Sequence, residues 1–415
     1  MLIEFSVENF RSFNERVTLS LVAAPELDEP DGLLENTFEA PGGLRLLKST
    51  LVYGANASGK SNLVRALSFA RSLVLGSAKE TQAGERIDVE PFRLDPTAAT
   101  RGSSFEFVWI EGTARYRYGF SVDSSSVLEE FLTRARPEDD EEMELFRRDT
   151  SGIRVRDEFD EGRDIAPKTR SNALFLSVVA QLNGQESQRI LGWFRNQLAV
   201  VSGLEDARLL RFTVQQVQAN SWVEDILRLA READLGITGI SASELRPEMP
   251  PTKRVRSGEF KTLKIRHRRL DAGGSPVGEI DFDLDDESEG TQKFIALAGP
   301  LIYVLKNSTA LFFDELDARL HPRLARALVN LFHTDSNPKN AQLIAATHDT
   351  NLLDRRLLRR DQIWFTEKDP RGATKLYSLA EFDLPGEAHY ERDYLLGKYG
   401  AVPIIGDLIK PEAVK

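Results

Sequence analysis

Eight residues, Gly54-Ala55-Asn56-Ala57-Ser58-Gly59-Lys60-Ser61, have the types and spacing needed to hold a polyphosphate. They fit the pattern G-x-x-x-x-G-K-[ST], in which inward-facing backbone N–H groups and the start of a helix attract phosphate oxygens. In that role Gly54, Asn56, Ser58 and Gly59 shape the cradle, Lys60 bridges the β and γ phosphates of ATP, and Ser61 ligates Mg2+. An ordinary glycine-rich turn is the plain alternative. The flanks argue against it, because Leu51-Val52-Tyr53 reads as a buried strand entering the loop. Leu63, Ala66, Leu67 and Ala70 then recur at helical spacing, which predicts a helix from Lys60 into the low seventies.

Three further groups follow in the chain. Leu311-Phe312-Phe313-Asp314-Glu315 is an apolar strand ending in two acids, a Walker B segment in which Asp314 holds Mg2+ and Glu315 polarises the attacking water. Leu343 to Ala346 is a second buried strand, with Thr347-His348 at its C-terminal end, where ligands gather in open parallel sheets. A lone histidine there is commonly just a satisfied hydrogen-bonder, but its position after the acids points to a γ-phosphate sensor. Glu287-Ser288-Glu289-Gly290-Thr291-Gln292 precedes a long apolar helix and resembles the ABC signature. That resemblance implies that Ser288 and Gly290 engage the γ-phosphate held by another subunit's loop. Ser288 as a plain N-cap is the competing reading.

The elements that must position these groups are legible in outline. Leu2 to Val7 alternates as a half-buried strand, with Val17 to Leu21 as its hairpin partner. Phe105 to Val122 reads as a hairpin about Glu111-Gly112. The acidic run Glu138 to Glu142 reads as a solvated loop tip. Residues 165 to 235 show helical spacing, and the Pro-rich Arg246 to Pro251 closes that region. Strands are expected at Phe260 to Arg268, Glu279 to Leu284, Ala310 to Phe313, Gln342 to Ala346 and Gln362 to Phe365, with helices at Thr291 to Leu305 and Pro322 to Phe332. The alternation of strands and helices gives an α/β fold class, and the resemblance to the ABC signature implies a P-loop ATPase head of the ABC type with a mixed sheet, an antiparallel lobe and a mainly helical insertion. The expected division is an N-terminal lobe at 1–125, the insertion at 126–259, a C-terminal lobe at 260–370 and an extension at 371–415.

Bulk properties narrow the setting. The chain has 415 residues, 41% hydrophobic and 29% charged, with a formal net charge of -11. This is ordinary for a folded protein and argues against a surface coated with basic residues for bulk nucleic-acid binding. The absence of cysteine excludes disulfides, cysteine-based zinc sites and a thiol nucleophile, and fits a cytoplasmic setting. Glu4 and Glu8 stand where a signal peptide needs basic residues. The apolar stretch Phe294 to Leu305 contains Gly299 and Pro300 and falls well short of the roughly 20 residues that span a bilayer. No membrane partner is expected.

The order of P-loop, signature, Walker B and histidine, with Asn9-Phe10-Arg11-Ser12-Phe13 near the start, resembles the ABC-type ATPases of the RecF, SMC and OLD group. The resemblance covers about 1 to 125 and 260 to 370. Leu316 to Pro322, Gln362 to Glu367 and Tyr399 to Pro403 are similar to the AbiL/RloA-like anti-phage ATPases and to the ATPase subunit of the PARIS system. This implies a dimerising ATPase switch working with a separately encoded effector, in such families often a TOPRIM-like nuclease. The stretch after His348 is too short for the nuclease domain of OLD proteins, so no nuclease activity is expected in this chain.

There are departures from the family pattern. No Q-loop glutamine stands out, with Glu90-Pro91-Phe92-Arg93 the place to look, and Glu289 replaces a common signature glycine. These features disfavour a transporter subunit. The absence of heptads separates the chain from long-armed repair ATPases, although a RecF-like clamp on DNA is the alternative function. The segment Lys253 to Arg269 is a possible phosphate-binding patch, against the plainer reading of a solvated cluster. Arg355, Arg356, Arg359 and Arg360 form a second basic group, expected on a helix and solvated.

Overall fold

The computed structural model describes residues 1–24, 33–139, 141–233, 235–244, 261–385 and 388–403. The N-terminal part runs through β1 (Leu2–Glu8), β2 (Val17–Ser20), β3 (Thr37–Glu39), β4 (Arg45–Leu47), β5 (Ser49–Tyr53) and helix α1 (Lys60–Gly76). Strands β6 (Ser103–Glu111) and β7 (Ala114–Val122) form the expected hairpin, followed by β8 (Val127–Ala135), β9 (Met143–Asp149) and β10 (Gly152–Val155). These strands make a seven-stranded antiparallel sheet in the order β10-β9-β8-β7-β6-β1-β2, while β3 pairs with β4 alone.

The chain then forms α2 (Phe175–Gln181), α3 (Gln185–Asn196), β11 (Leu198–Ser202), α4 (Asp206–Gln218) and α5 (Val223–Glu232). Strands β12 (Ile237–Glu244), β13 (Lys261–Leu270) and β14 (Pro276–Asp283) lead into α6 (Glu289–Lys306) and β15 (Ala310–Asp314). The last elements are α7 (Pro322–His333), β16 (Gln342–Ala346), β17 (Ile363–Lys368), β18 (Thr374–Ser378) and α8 (Tyr390–Leu395). A six-stranded sheet has the order β11-β15-β16-β5-β17-β18, parallel except for the β17–β18 hairpin.

Alternation along the central strands places a core on each face of this sheet. Val52, Phe312 and Ile344 join the cluster holding Leu63, Leu67 and Ala70 of α1 and Phe5, Phe107 and Trp109 of the antiparallel sheet. Leu51, Tyr53, Leu311, Phe313, Leu343 and Ala345 join the opposite cluster with α4, α5, α6 and α7. α1 therefore lies between the two sheets, and its amphipathic spacing is the consequence. Burial of each large apolar side chain contributes about 1.5–3 kcal/mol. Gln342 clamps the two sheets together: its Oε1 accepts from the Leu2 N–H at 2.7 Å and its Nε2 donates to the Leu2 carbonyl at 3.0 Å.

The segment 126–259 carries the expected helices in its middle, but its start is not helical. It begins with β8 to β10, which continue the antiparallel sheet, because Val127, Leu132, Leu145 and Phe146 are buried along strands on the α2 side of the sheet. Its helices occupy 175–232, and β11 between them joins the parallel sheet against β15. The Pro-rich segment Arg246 to Pro251 lies outside the described residues. Glu142, at the end of the acidic run, is tied to the sheet by Arg117 at 3.0 Å and Thr133 at 2.7 Å and is no free loop tip. Arg355 to Arg360 sit in turns and a short 3-10 segment and not on an α-helix. Within that group Arg359 is buried and pairs with Asp361 at 2.7 Å, because its guanidinium also reaches the Ala24 carbonyl across the fold.

Candidate functional site

Parallel pairing of β15, β16 and β5 brings the C-terminal ends of three neighbouring strands to one edge of the sheet. Those ends carry Asp314-Glu315, Thr347-His348 and the loop that begins at Gly54, so the groups identified as separate sequence signals converge at one place. The Ser61 hydroxyl donates to Asp314 Oδ1 at 3.0 Å. Two hard oxygen donors held this close, beside the start of a helix, fit the ligand set of a magnesium ion that also binds phosphate oxygens.

Lys60 is buried and folded back over the loop, donating to the carbonyls of Gly54 at 2.7 Å and Ala55 at 3.3 Å. Burial lowers its pKa to about 8, with Asp314, Asp317 and Glu315 opposing the shift. The loop backbone is held in conformations that favour glycine: Gly59, the N-cap of α1, has φ 118°. A Cβ on Gly59 would lie 2.3 Å from Thr374 Oγ1. Asn56 is exposed at the loop mouth, whereas Ser58 is buried with its hydroxyl 2.7 Å from Thr366 Oγ1.

Strands β17 and β18 thus buttress the loop from behind. Thr374 Oγ1 donates to the Ser58 carbonyl at 2.7 Å and lies 2.9 Å from Ser12 Oγ, which also accepts from Asn62 of α1 at 2.8 Å. The Thr374 N–H donates to the Ser12 carbonyl at 2.7 Å. The Asn9 to Phe13 turn is therefore built against the phosphate loop. Asn9, with φ 48°, is fixed by donation to the carbonyls of Ala98 and Arg101 at 2.8 and 2.9 Å. Arg11 pairs with Glu90, and its N–H donates to the Glu90 carbonyl at 2.8 Å. The Glu90 to Arg93 segment, where a Q-loop is expected, consequently packs on this turn, although it supplies a carboxylate in place of a glutamine.

At the acid end, Glu315 has φ 56°, a left-handed conformation that costs about 1–3 kcal/mol for a residue with a side chain. It is fixed by its neighbours: the Leu316 N–H donates to the Ala346 carbonyl at 3.0 Å, and the Ala318 N–H to the Glu315 carbonyl at 3.1 Å. Asp317 joins the two strand ends by accepting from the Thr347 hydroxyl at 2.7 Å and the His348 N–H at 3.2 Å. His348 itself is exposed at the site, and desolvation followed by the Lys60 charge lowers its pKa, with Asp317, Glu315 and Asp314 opposing the shift.

Ser288 is the N-cap of α6, accepting from the Thr291 N–H at 3.2 Å, and its hydroxyl lies 2.9 Å from that of Thr291. The capping reading is thus realised, yet Ser288 and Glu289 are exposed and Gly290 is half-buried. Among the described residues neither Ser288 nor Gly290 forms a hydrogen bond with the Gly54–Ser61 loop of the same chain. The proposed basic patch lies partly outside the described residues, and within them Lys264 pairs with Asp283 and Arg266 with Asp281, both at 2.7 Å. Among the described residues no group of three or more His, Cys, Asp and Glu side chains forms a further metal cluster. No described helix is long and apolar enough to cross a membrane.

Several contributors escape sequence reasoning. Thr366 and Thr374 carry no motif and reach the loop only through strand pairing. Asp317 was detectable in principle as a third acid two residues after Glu315. Lys293 is another, since a lysine one turn into a nearly all-apolar helix signals a buried partner, and its side chain is 1% exposed.

Residues 49–354 match a family model described as "AAA domain, putative AbiEii toxin, Type IV TA system". Among curated proteins no sequence matches. Solved structures similar to this chain include the SMC head domain from Thermotoga maritima, at 14% identity and a TM-score of 0.41 over 92% of this chain and 99% of that one. The SmcHead bound to the C-winged helix domain of ScpA is similar at 14% identity and a TM-score of 0.44, over 93% and 98%. The Smc head domain with an extended coiled coil, bound to the C-terminal domain of ScpA derived from Pyrococcus furiosus, is similar at 14% identity and 0.38, over 96% and 98%.

Proposed function

This chain belongs to the AAA-domain family whose model it matches, and we propose that it is an ATPase that works as an ATP-dependent dimerising switch. The observation that carries the reading is the convergence of the Gly54–Ser61 loop, Asp314, Glu315 and His348 on one sheet edge, with Ser61 and Asp314 3.0 Å apart. Lys60 leaves its loop carbonyls for the β and γ phosphates, and the backbone N–H groups of the loop hold the remaining oxygens. Ser61 and Asp314 would hold Mg2+, which when bound neutralises charge on the phosphate oxygens. Glu315, fixed by its strained backbone, orients and polarises the attacking water. His348 then serves as the sensor of the terminal phosphate, with Asp317 holding its backbone N–H.

The exposed first turn of α6 supports a composite site, in which Ser288 and Gly290 of one protomer complete the phosphate loop of its partner. ATP then joins two heads and hydrolysis releases them. The family description names a toxin and a toxin–antitoxin system, which supports a role in bacterial anti-phage defence with a separately encoded effector. No nuclease chemistry is assigned to this chain. The RecF-like alternative, a clamp on DNA, gains little, since Lys264 and Arg266 of the basic patch are paired with Asp283 and Asp281 of the neighbouring strand.

Sedimentation of Glu315→Gln with and without ATP and Mg2+ tests the reading. The variant is expected to retain ATP and sediment as a dimer only when ATP is present. A monomer that binds ATP without associating contradicts the composite site.

A further inference from the structure

Lysine is almost never fully buried unless paired, because an unpaired ammonium in a protein interior costs several kcal/mol. Lys293 is 1% exposed and lies in α6 three residues after Gly290, followed by the buried Phe294 and Ile295. A leucine or methionine would serve packing alone at this position. Its ammonium instead donates to the Gly203 carbonyl and to Asp206 Oδ1, the latter at 2.5 Å. Both partners belong to the connection from β11 into α4.

That connection touches the acid end of the site directly. The Gly203 N–H donates to the Asp314 carbonyl at 2.7 Å, and a Cβ on Gly203 would lie 2.1 Å from the Glu315 carbonyl oxygen. Only glycine allows so close an approach. The second Asp206 oxygen accepts from Arg319 at 2.8 Å, and the Arg319 carbonyl is the nearest atom to a Cβ built on Gly290, at 3.8 Å. Glu315 and Arg319 both have positive φ, 56° and 60°. A circuit of contacts thus runs from the first turn of α6 through Lys293 to Gly203 and Asp206, and on to the Asp314–Glu315 backbone and to Arg319.

We propose that Lys293 and Asp206 are positioning residues, a charge pair that locks the exposed first turn of α6 to the backbone of Asp314 and Glu315. A contact made by another subunit at Ser288 and Gly290 is thereby transmitted to the carboxylate that orients water. The inference rests on the ATPase reading and adds to it a route by which assembly switches on chemistry. A displaced α6 turn must carry Gly203 with it, and Gly203 has no free space against Glu315.

The test compares Lys293→Met, Asp206→Asn and the double variant with the wild type in steady-state ATP hydrolysis, with thermal unfolding as the check on folding. Misplacement of a catalytic group by a remote change costs up to about 100-fold, so kcat of Lys293→Met is expected to fall by about 10- to 100-fold with KM for ATP little changed. Asp206→Asn, at a position 34% exposed, is expected to fold and to lower kcat in the same direction by less, since the Gly203 bond survives. The double variant should resemble Lys293→Met, because both changes break one circuit. A folded Lys293→Met or Asp206→Asn with wild-type kcat, or with raised KM and unchanged kcat, overturns the proposal while leaving the ATPase reading intact. A wild-type chain that neither binds nor hydrolyses ATP overturns both.

Discussion

ATP binding by this protein should take up a proton, and its affinity should fall above pH 8. In the free protein Lys60 has a pKa of about 8, lowered by burial and only partly restored by Asp314, Asp317 and Glu315. Triphosphate beside the ammonium favours the charged form and raises that pKa. A base whose pKa is higher in the complex binds its ligand best where it is already protonated, so affinity is maximal below pH 8 and declines as pH rises through that value. At pH 7 about nine-tenths of the free protein carries charged Lys60, and at pH 9 about one-tenth does, which predicts a loss of about tenfold, or 1.4 kcal/mol, between the two. A terminal phosphate has its second pKa at about 6 and is ionised throughout this range. Calorimetric titration of ATP at pH 8.5 in two buffers of different ionisation enthalpy should show uptake of about three-quarters of a proton. Lys60→Ala should remove both binding and the linked proton. An affinity that is flat from pH 7 to 9 with no proton uptake would refute the placement of a buried, folded-back Lys60.

Two further substitutions probe the surroundings of the loop. Gly59→Ala must place a Cβ 2.3 Å from Thr374 Oγ1 at φ 118°, and backbone strain of about 1–3 kcal/mol should weaken ATP binding about 10- to 100-fold; unaltered affinity by equilibrium dialysis would show that the buttress is not rigid. Glu130 is fully buried and accepts from Tyr118 at 2.8 Å, Phe175 N–H at 2.6 Å and Leu176 N–H at 3.0 Å, near the Arg148 guanidinium. Glu130→Ala leaves these donors without their acceptor and Arg148, which keeps its bonds to the Ala173, Arg170 and Ser171 carbonyls, without its buried counter-charge, so urea unfolding should show a loss of about 3–5 kcal/mol.

Much of this site was legible because its chemistry demands particular residues at short spacing. The loop from Gly54 to Ser61, the acids Asp314 and Glu315, and His348 at the end of a buried strand each carry a local pattern, and the continuous apolar runs of β5, β15 and β16 mark a sheet buried on both faces. Strand β16 spans Gln342–Ala346, the same residues as the apolar run in the sequence. The strands of 127–155 were less legible, since buried pairs such as Leu145-Phe146 interrupt the period-two pattern on a sheet packed by helices on one face. Strand β11 was hidden for another reason: Leu198 to Ser202 is a short apolar run between helices, and only its register with Ala310 to Asp314 makes it a strand. Thr366, Thr374, Gly203 and Asp206 act through contacts distant in sequence and have no local signature. Ser288 shows the converse, since its N-cap geometry satisfies the local rule and leaves the intermolecular role to its exposure.

If each phosphate loop is completed by the α6 turn of another protomer, mixing two inactive proteins restores activity. Lys60→Ala spoils the loop and leaves Ser288 and Gly290 intact, whereas Ser288→Arg blocks the turn and leaves the loop intact. A mixed dimer contains one site built from both intact halves. Each variant alone should be inactive, and an equal mixture should recover about a quarter of the wild-type ATPase rate, because half of randomly paired two-fold dimers are mixed and each has one good site of two. Hydrolysis by Ser288→Arg alone at the wild-type rate, or a mixture as inactive as its components, would contradict the composite site.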